Sequence, residues 1–128
     1  MNSDITKNIV VCDLSGTLFR TDNTPNPPVV ALIRSMHAQG YLIAFLTGLR
    51  QRHYRTMSAR LKDIDLAPSE NIYLLMRPDN YTAAPLTFKE ELLTRFIEAK
   101  RVLFALDDTP TILRMYAKHG ITTMQVRT

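Results

Sequence analysis

Polar and apolar positions along this chain fall into blocks of two kinds, short unbroken apolar runs and longer stretches in which apolar residues return every three or four positions. The first kind marks a strand buried on both faces, the second one face of a helix. Ile9-Val10-Val11-Cys12 is a run of the first kind that stops at Asp13, and Leu14-Ser15-Gly16-Thr17-Leu18-Phe19 follows as a turn whose Gly16 and Thr17 amides can face an anion. After a polar segment from Arg20 to Asn26, Pro27-Pro28 predicts a helix start, Val29, Val30, Leu32, Ile33 and Met36 keep helical spacing, and Gly40 ends the helix. Tyr41 to Leu46 predicts a second strand, ending in Thr47-Gly48. A basic helical stretch from about Arg50 to Lys62 has Tyr54, Met57, Leu61 and Ile64 as its inward stripe, and Pro68 closes it. Ile72 to Met76 predicts a third strand, followed by a loop from Arg77 to Leu86. Thr87 with Glu90 reads as a capping box that opens a helix with Phe88, Leu92, Leu93, Phe96 and Ile97 as its apolar positions. Val102 to Leu106 predicts a fourth strand ending at Asp107-Asp108, Pro110 starts a helix carrying Ile112, Leu113, Met115 and Tyr116, Gly120 ends it, and Ile121 to Val126 is the last strand.

Strands alternating with crossover helices predict an α/β fold, a doubly wound parallel five-stranded sheet with helices on both faces. At 128 residues the chain is expected to form one domain, residues 1–128. Its apolar share of 45% and charged share of 22% are ordinary for a globular protein, and no apolar run is long enough to span a bilayer. Met1-Asn2-Ser3-Asp4 lacks the basic start and apolar middle of a secretory signal, and the lone Cys12 can make no internal disulfide, so a cytoplasmic location is expected. A net charge of +4 and a pI near 9.5 favour polyanionic partners.

A parallel sheet lines the C-terminal tips of its strands along one edge, where open α/β sheets bind their ligands. Asp13, Thr47 and the pair Asp107-Asp108 fall at such tips. A carboxylate at Asp13 suits nucleophilic attack on a phosphoryl group, the hydroxyl of Thr47 can hold a phosphoryl oxygen, and the paired acids can hold magnesium. Lys89, in the helix after the third strand, can bring a positive charge to the same edge.

In this order and strand context the motifs resemble those of the haloacid dehalogenase-like (HAD) phosphohydrolases: Asp13-Leu14-Ser15-Gly16-Thr17-Leu18 the first motif, Thr47 the second, Lys89 the third and Asp107-Asp108 the fourth. Within that family the sequence is most similar to the phosphatase domain of phage polynucleotide kinase-phosphatases, through Leu75-Met76-Arg77-Pro78-Asp79, Lys89-Glu90-Glu91, Met115-Tyr116 and Gly120-Ile121-Thr122-Thr123-Met124-Gln125-Val126. The resemblance implies that Asp13 attacks phosphorus and that Mg2+ is held by Asp13, the Ser15 carbonyl and Asp107. It further implies that Thr47 and Lys89 bind the transferring group and that Asp108 completes the metal site. Gly48, Arg50 and Arg77 are expected to contact substrate. It also implies a phosphorylated nucleotide or a nucleic-acid 3′-phosphate end as substrate, and no cap domain, since Leu18 to Pro27 is too short for one and Ile64 to Leu86 holds only a strand and a loop.

Two departures bear on activity. Most phosphatases of the family carry an aspartate two residues past the nucleophile as general acid and base, where this chain has Ser15, and that loss costs ~10²–10⁴ in rate. The arginine of Thr47-Gly48-Leu49-Arg50 also stands one place later than the family often has it, and Thr82 to Pro85 lacks the Arg and Asp that tend to precede the lysine. The alternative to a phosphatase is therefore a weak or inactive binding module for phosphorylated ligands or nucleic acid. A two-component receiver domain is disfavoured, because its acidic pair belongs on the first strand. The oligomeric state is not legible. The basic run Arg50, Arg52, His53, Arg55, Arg60 and Lys62, with Arg77, is expected to rim the open crevice and attract a polyanion.

Overall fold

A computed structural model describes residues 6–127. The Met1 to Asp4 start, read above for a signal, lies outside them.

Five strands form one parallel sheet: β1 Ile9–Cys12, β2 Leu42–Arg50, β3 Ile72–Arg77, β4 Val102–Asp107 and β5 Thr123–Gln125, in the order β3-β2-β1-β4-β5. Four helices connect them: α1 Pro27–Ala38, α2 Tyr54–Asp63, α3 Pro85–Leu92 and α4 Pro110–Lys118. The chain winds outward from β1 through β2 to β3, then crosses back over the sheet to β4 and β5. Because parallel crossovers are right-handed, the first two helices must cover one face and the last two the other. The core divides accordingly. Val10, Cys12, Ile43 and Phe45 pack with Val29, Val30 and Ile33 of α1 and Met57 and Leu61 of α2, whereas Val11, Ala44, Leu46 and Ala105 pack with Leu93, Ile112, Met115 and Tyr116. The strand order reverses between β1 and β4, which is where such a sheet opens a crevice beyond its strand ends. No cap is inserted among the described residues, and no helix of theirs is long and apolar enough to cross a membrane.

Several elements differ from the sequence expectation, each for a local reason. β2 runs on through Thr47 to Arg50, with its pairing to β3 slipped between Thr47 and Arg50. The basic segment opens with a 3-10 turn, Gln51–His53, whose tighter winding rotates Tyr54 into solvent at 42% exposure, while Met57 and Leu61 stay buried. Thr87 and Glu90 form no capping box. Pro85, which needs no amide partner in a first turn, begins α3 two residues earlier, and the Glu90 carboxylate meets His119 Nε2 at 2.8 Å instead of reaching back. After α3 a π turn, Leu93–Ile97, adds a residue per turn and turns Phe96 outward, 57% exposed. Only Thr123–Gln125 of the expected Ile121 to Val126 strand pairs with β4, and Ile121 is buried ahead of it.

Candidate active site

Asp13 follows β1 directly, and its amide donates to Leu106 O at 3.0 Å, which ties the residue to the end of β4. Asp107 ends β4 and Asp108 follows it. The two central strands therefore deliver three carboxylates to the point where the strand order reverses. One oxygen from each lies within 4.8 Å of the others.

Lys89 comes from the opposite direction, on the first turns of α3, and is only 2% exposed. Its Nζ donates to Asp13 Oδ1 at 3.0 Å and to Asp107 Oδ2 at 2.8 Å. The approach of α3 depends on Gly48, where a Cβ would lie 2.8 Å from Pro85 Cβ. A bare backbone at Gly48 lets the first residue of α3 rest against β2, and Lys89 one turn on then reaches the sheet edge. Gly48, expected among the substrate contacts, thus also has a packing role.

The loop after β1 holds the remaining atoms of the centre. Thr17 Oγ1 donates to Asp13 Oδ2 at 3.2 Å, and the buried Asn26 Nδ2 donates to Thr17 O at 3.2 Å. The Gly16 and Thr17 amides, expected to face an anion, are instead taken by Phe19 O at 2.7 Å and Leu14 O at 3.1 Å. Gly16 itself has φ of +82°, and a Cβ there would stand 2.9 Å from Asp108 Cγ and run into its Oδ2. It is the gap through which the Asp108 carboxylate enters. Asp107 Oδ1 accepts from the Thr109 amide at 3.0 Å, and Asp108 Oδ1 from Thr109 Oγ1 at 3.3 Å. Thr47 is buried at the tip region of β2, and its Oγ1 accepts from the Leu49 amide at 3.1 Å, so its own hydroxyl hydrogen remains available to a ligand. Ser15 is exposed beside the centre.

Electrostatically the centre is short of positive charge, since three carboxylates lie together and, among the described residues, a single ammonium pairs with two of them, Asp13 and Asp107. Burial pushes the Asp13 carboxyl up to about 7, against the pull of Lys89, with Asp107 and Asp108 raising it further. Lys89 is desolvated, yet its two carboxylate partners hold its pKa above the ordinary value. A hard divalent cation fits this set by charge and by donor chemistry, because magnesium takes few carboxylates and leaves room for water and phosphate oxygens.

The two expected substrate arginines are turned elsewhere. Arg50 Nη1 donates to Pro78 O and Asp79 O at 3.0 Å each and to Tyr81 O at 2.7 Å. Arg77 Nε donates to Gly48 O at 2.9 Å and its Nη1 to Ala83 O at 3.1 Å. Both brace the loop that leads into α3, and so brace Lys89. The slipped pairing at the end of β2 accounts for Arg50, which stands where it meets that loop's carbonyls. Of the basic rim, Arg52 pairs with Asp79 at 3.6 Å, and Arg60 donates to Asn23 Oδ1 at 3.1 Å. Asn26 and Pro85 were not singled out by sequence reasoning as part of the site. The signals were present, a polar residue before Pro27-Pro28 and a second proline at a helix start, but neither carries chemistry of its own.

Residues 7–128 match the family model described as the polynucleotide kinase PNKP phosphatase domain. No curated protein matches the sequence. Among solved structures, a chain from the Pnkp1/Rnl/Hen1 complex superposes with a TM-score of 0.84 at 24% identity, covering 98% of this chain and 48% of that one. A chain from the Pnkp1/Rnl/Hen1 RNA repair complex gives 0.80 at 27% identity, covering 98% of this chain and 44% of the other. The chain therefore spans about half the length of the chains it matches.

Proposed function

We propose, from the premise that this chain belongs to the polynucleotide kinase PNKP phosphatase-domain family, that residues 1–128 form a single HAD-like domain that hydrolyses phosphomonoesters at nucleotide or nucleic-acid 3′-phosphate ends. The observation that carries this reading is the buried Asp13–Lys89–Asp107 cluster, with Asp108 beside it, at the reversal of the strand order.

In this reading an Asp13 carboxylate oxygen forms a bond to phosphorus as the bond from phosphorus to the ester oxygen breaks. The departing oxygen takes a proton from water, since the Ser15 hydroxyl is a weak acid. Water then attacks phosphorus of the aspartyl-phosphate, inorganic phosphate leaves, and the Asp13 carboxylate is restored. Thr17 and Lys89, one on each Asp13 oxygen, fix the orientation of the nucleophile. Lys89 and the Thr47 hydroxyl would stabilise charge that develops on the transferring group. Asp13, Asp107 and Asp108 would hold magnesium, with the Ser15 carbonyl as a further oxygen ligand, and the ion would supply charge neutralisation and alignment.

Hydrolysis of an aryl phosphate in magnesium buffer tests the reading. Phosphate release should stop on chelation, and Asp13→Asn, nearly isosteric but unable to form the acyl-phosphate, should abolish it while the protein stays folded. Wild-type turnover in Asp13→Asn would remove Asp13 as nucleophile and the reading with it. A second reading, a binding module for phosphorylated ligands, rests on Ser15 alone, which leaves the site without a carboxyl two residues past Asp13. Tight phosphate-ended oligonucleotide binding with no turnover on any phosphomonoester would select it.

A further inference from the structure

Beside the carboxylate cluster lies a second feature that the chemistry above does not use. A cavity of about 150 Å³ opens between the loop after β1 and the start of α2. It adjoins the reacting centre on two sides. Ser15, two residues past Asp13, lines it, as does Leu49, whose amide is bonded to Thr47 Oγ1.

The lining has an apolar floor and a polar rim. Leu49 and Met57 form the floor, with Met57 4% exposed and anchored in the core beneath α2. Asn23, His53, Thr56 and Arg60 supply the rim, and among the described residues no carboxylate lines the cavity. The walls are also pinned in place. Asn23 sits at φ of +71°, its amide donates to Arg20 O at 2.8 Å, and its Oδ1 accepts from Arg60 Nη1 at 3.1 Å across the cavity mouth. The bond ties the tip of the β1 loop to α2, so the cavity is formed before any ligand arrives, as small-molecule sites usually are.

We propose that this cavity is the subsite for the base of the nucleoside that carries the terminal phosphate, an inference that rests on the phosphatase reading and deepens it. A flat heterocycle with polar edges matches an apolar floor ringed by donors and acceptors. The volume is well below the roughly 300–1,000 Å³ of a pocket for a drug-sized ligand, which limits the occupant to one ring system. The rim carries Arg60 and no acid, which suits a ligand attached to a phosphate. Another groove, between Ile9, Leu42, Tyr73 and Phe96, also takes in Glu98 and Arg101, and its residues on β1 and β2 lie near the strand starts, away from the reacting edge.

The test compares two 3′-phosphorylated dinucleotides, one with an intact terminal thymine and one with a tetrahydrofuran abasic analogue in its place, by kcat/KM for phosphate release. Wild-type protein should prefer the intact substrate by about tenfold, and Thr56→Trp, which fills the cavity, should bring that ratio close to one. Its melting transition checks that the variant folds. Equal rates on the two substrates for wild-type protein, which needs no variant, would overturn the subsite, as would a folded Thr56→Trp that kept the full preference. Release from an aryl phosphate but from neither dinucleotide would instead bring down the nucleic-acid reading, and the subsite with it. Should no substrate turn over, the same two dinucleotides are compared by binding to the full chain, where a tenfold preference for the intact one supports the subsite and equal or absent binding overturns it.

Discussion

Replacing Lys89 by methionine keeps the length of the side chain and removes the one cation among the described residues that contacts the buried carboxylates of Asp13 and Asp107. Removing one partner of a buried ion pair costs ~3–5 kcal/mol, a large part of the ~5–15 kcal/mol that holds a domain folded. The size of the loss should depend on pH, and the direction follows from Asp13. Its pKa is raised from 3.8 to about 7 in the folded protein, so the folded state keeps a proton that the unfolded chain has released, and stability falls as pH rises through that window. Lys89 pulls this pKa down, so its loss must push Asp13 further up and extend the window upward. The variant's deficit against wild type should therefore be smaller near about pH 5, where a proton on Asp13 removes one of the two carboxylate charges that Lys89 serves, and approach the full figure near about pH 8. Urea unfolding at both pH values reads it directly. Magnesium should restore part of the deficit at the higher pH, because a divalent cation returns positive charge to the three carboxylates. A deficit under about 1 kcal/mol at both pH values, the range of an exposed pair, would refute the account of Lys89 as a desolvated cation that holds the centre together.

Three further outcomes are expected. Ser15→Asp should raise turnover by somewhat less than ~10²–10⁴, and more for a sugar phosphate than for an aryl phosphate, whose leaving oxygen needs no proton; an equal or lower rate on both, measured by phosphate release, would show that another group already serves as acid. Gly16→Ala, at φ of +82°, should cost roughly 1–2 kcal/mol in urea unfolding and weaken magnesium binding measured by calorimetry, because the new methyl displaces the Asp108 carboxylate; unchanged magnesium affinity would separate Asp108 from the metal site. Arg55→Gln should lower the salt dependence of oligonucleotide binding by about one phosphate contact, whereas Arg50→Gln should leave that slope nearly unchanged, since Arg50 Nη1 is spent on three loop carbonyls.

The strands, the helices and the tips that carry Asp13, Thr47 and Asp107 were legible in the sequence because each rests on a local signal, an apolar run ending in a polar residue or a proline before a helical stripe. What was hidden depended on contacts between distant segments. Nothing local shows that Gly48 makes room for Pro85, or that Gly16 makes room for Asp108, since both read as ordinary turn glycines. Thr87 and Glu90 have the spacing of a capping box, and only the position of His119, just past the end of α4, reveals where Glu90 is drawn. The surroundings of the arginines were hidden in the same way. A guanidinium near a phosphate motif suggests an anion, and Arg50 and Arg77 also meet backbone carbonyls of the loop that follows β3.

Cys12 stands one residue before the nucleophile, fully buried, with Sγ donating to Asp13 O at 3.2 Å and burial pushing the thiol well above its ordinary pKa. An alkylating reagent attacks thiolate and cannot reach it here. The lone thiol is therefore a built-in clock for β1. It can react only when that strand leaves the centre of the sheet, and the same departure dismantles the carboxylate cluster. How slowly this protein takes up the label, with and without a ligand at the crevice, measures how firmly the reacting edge is shut into the rest of the fold.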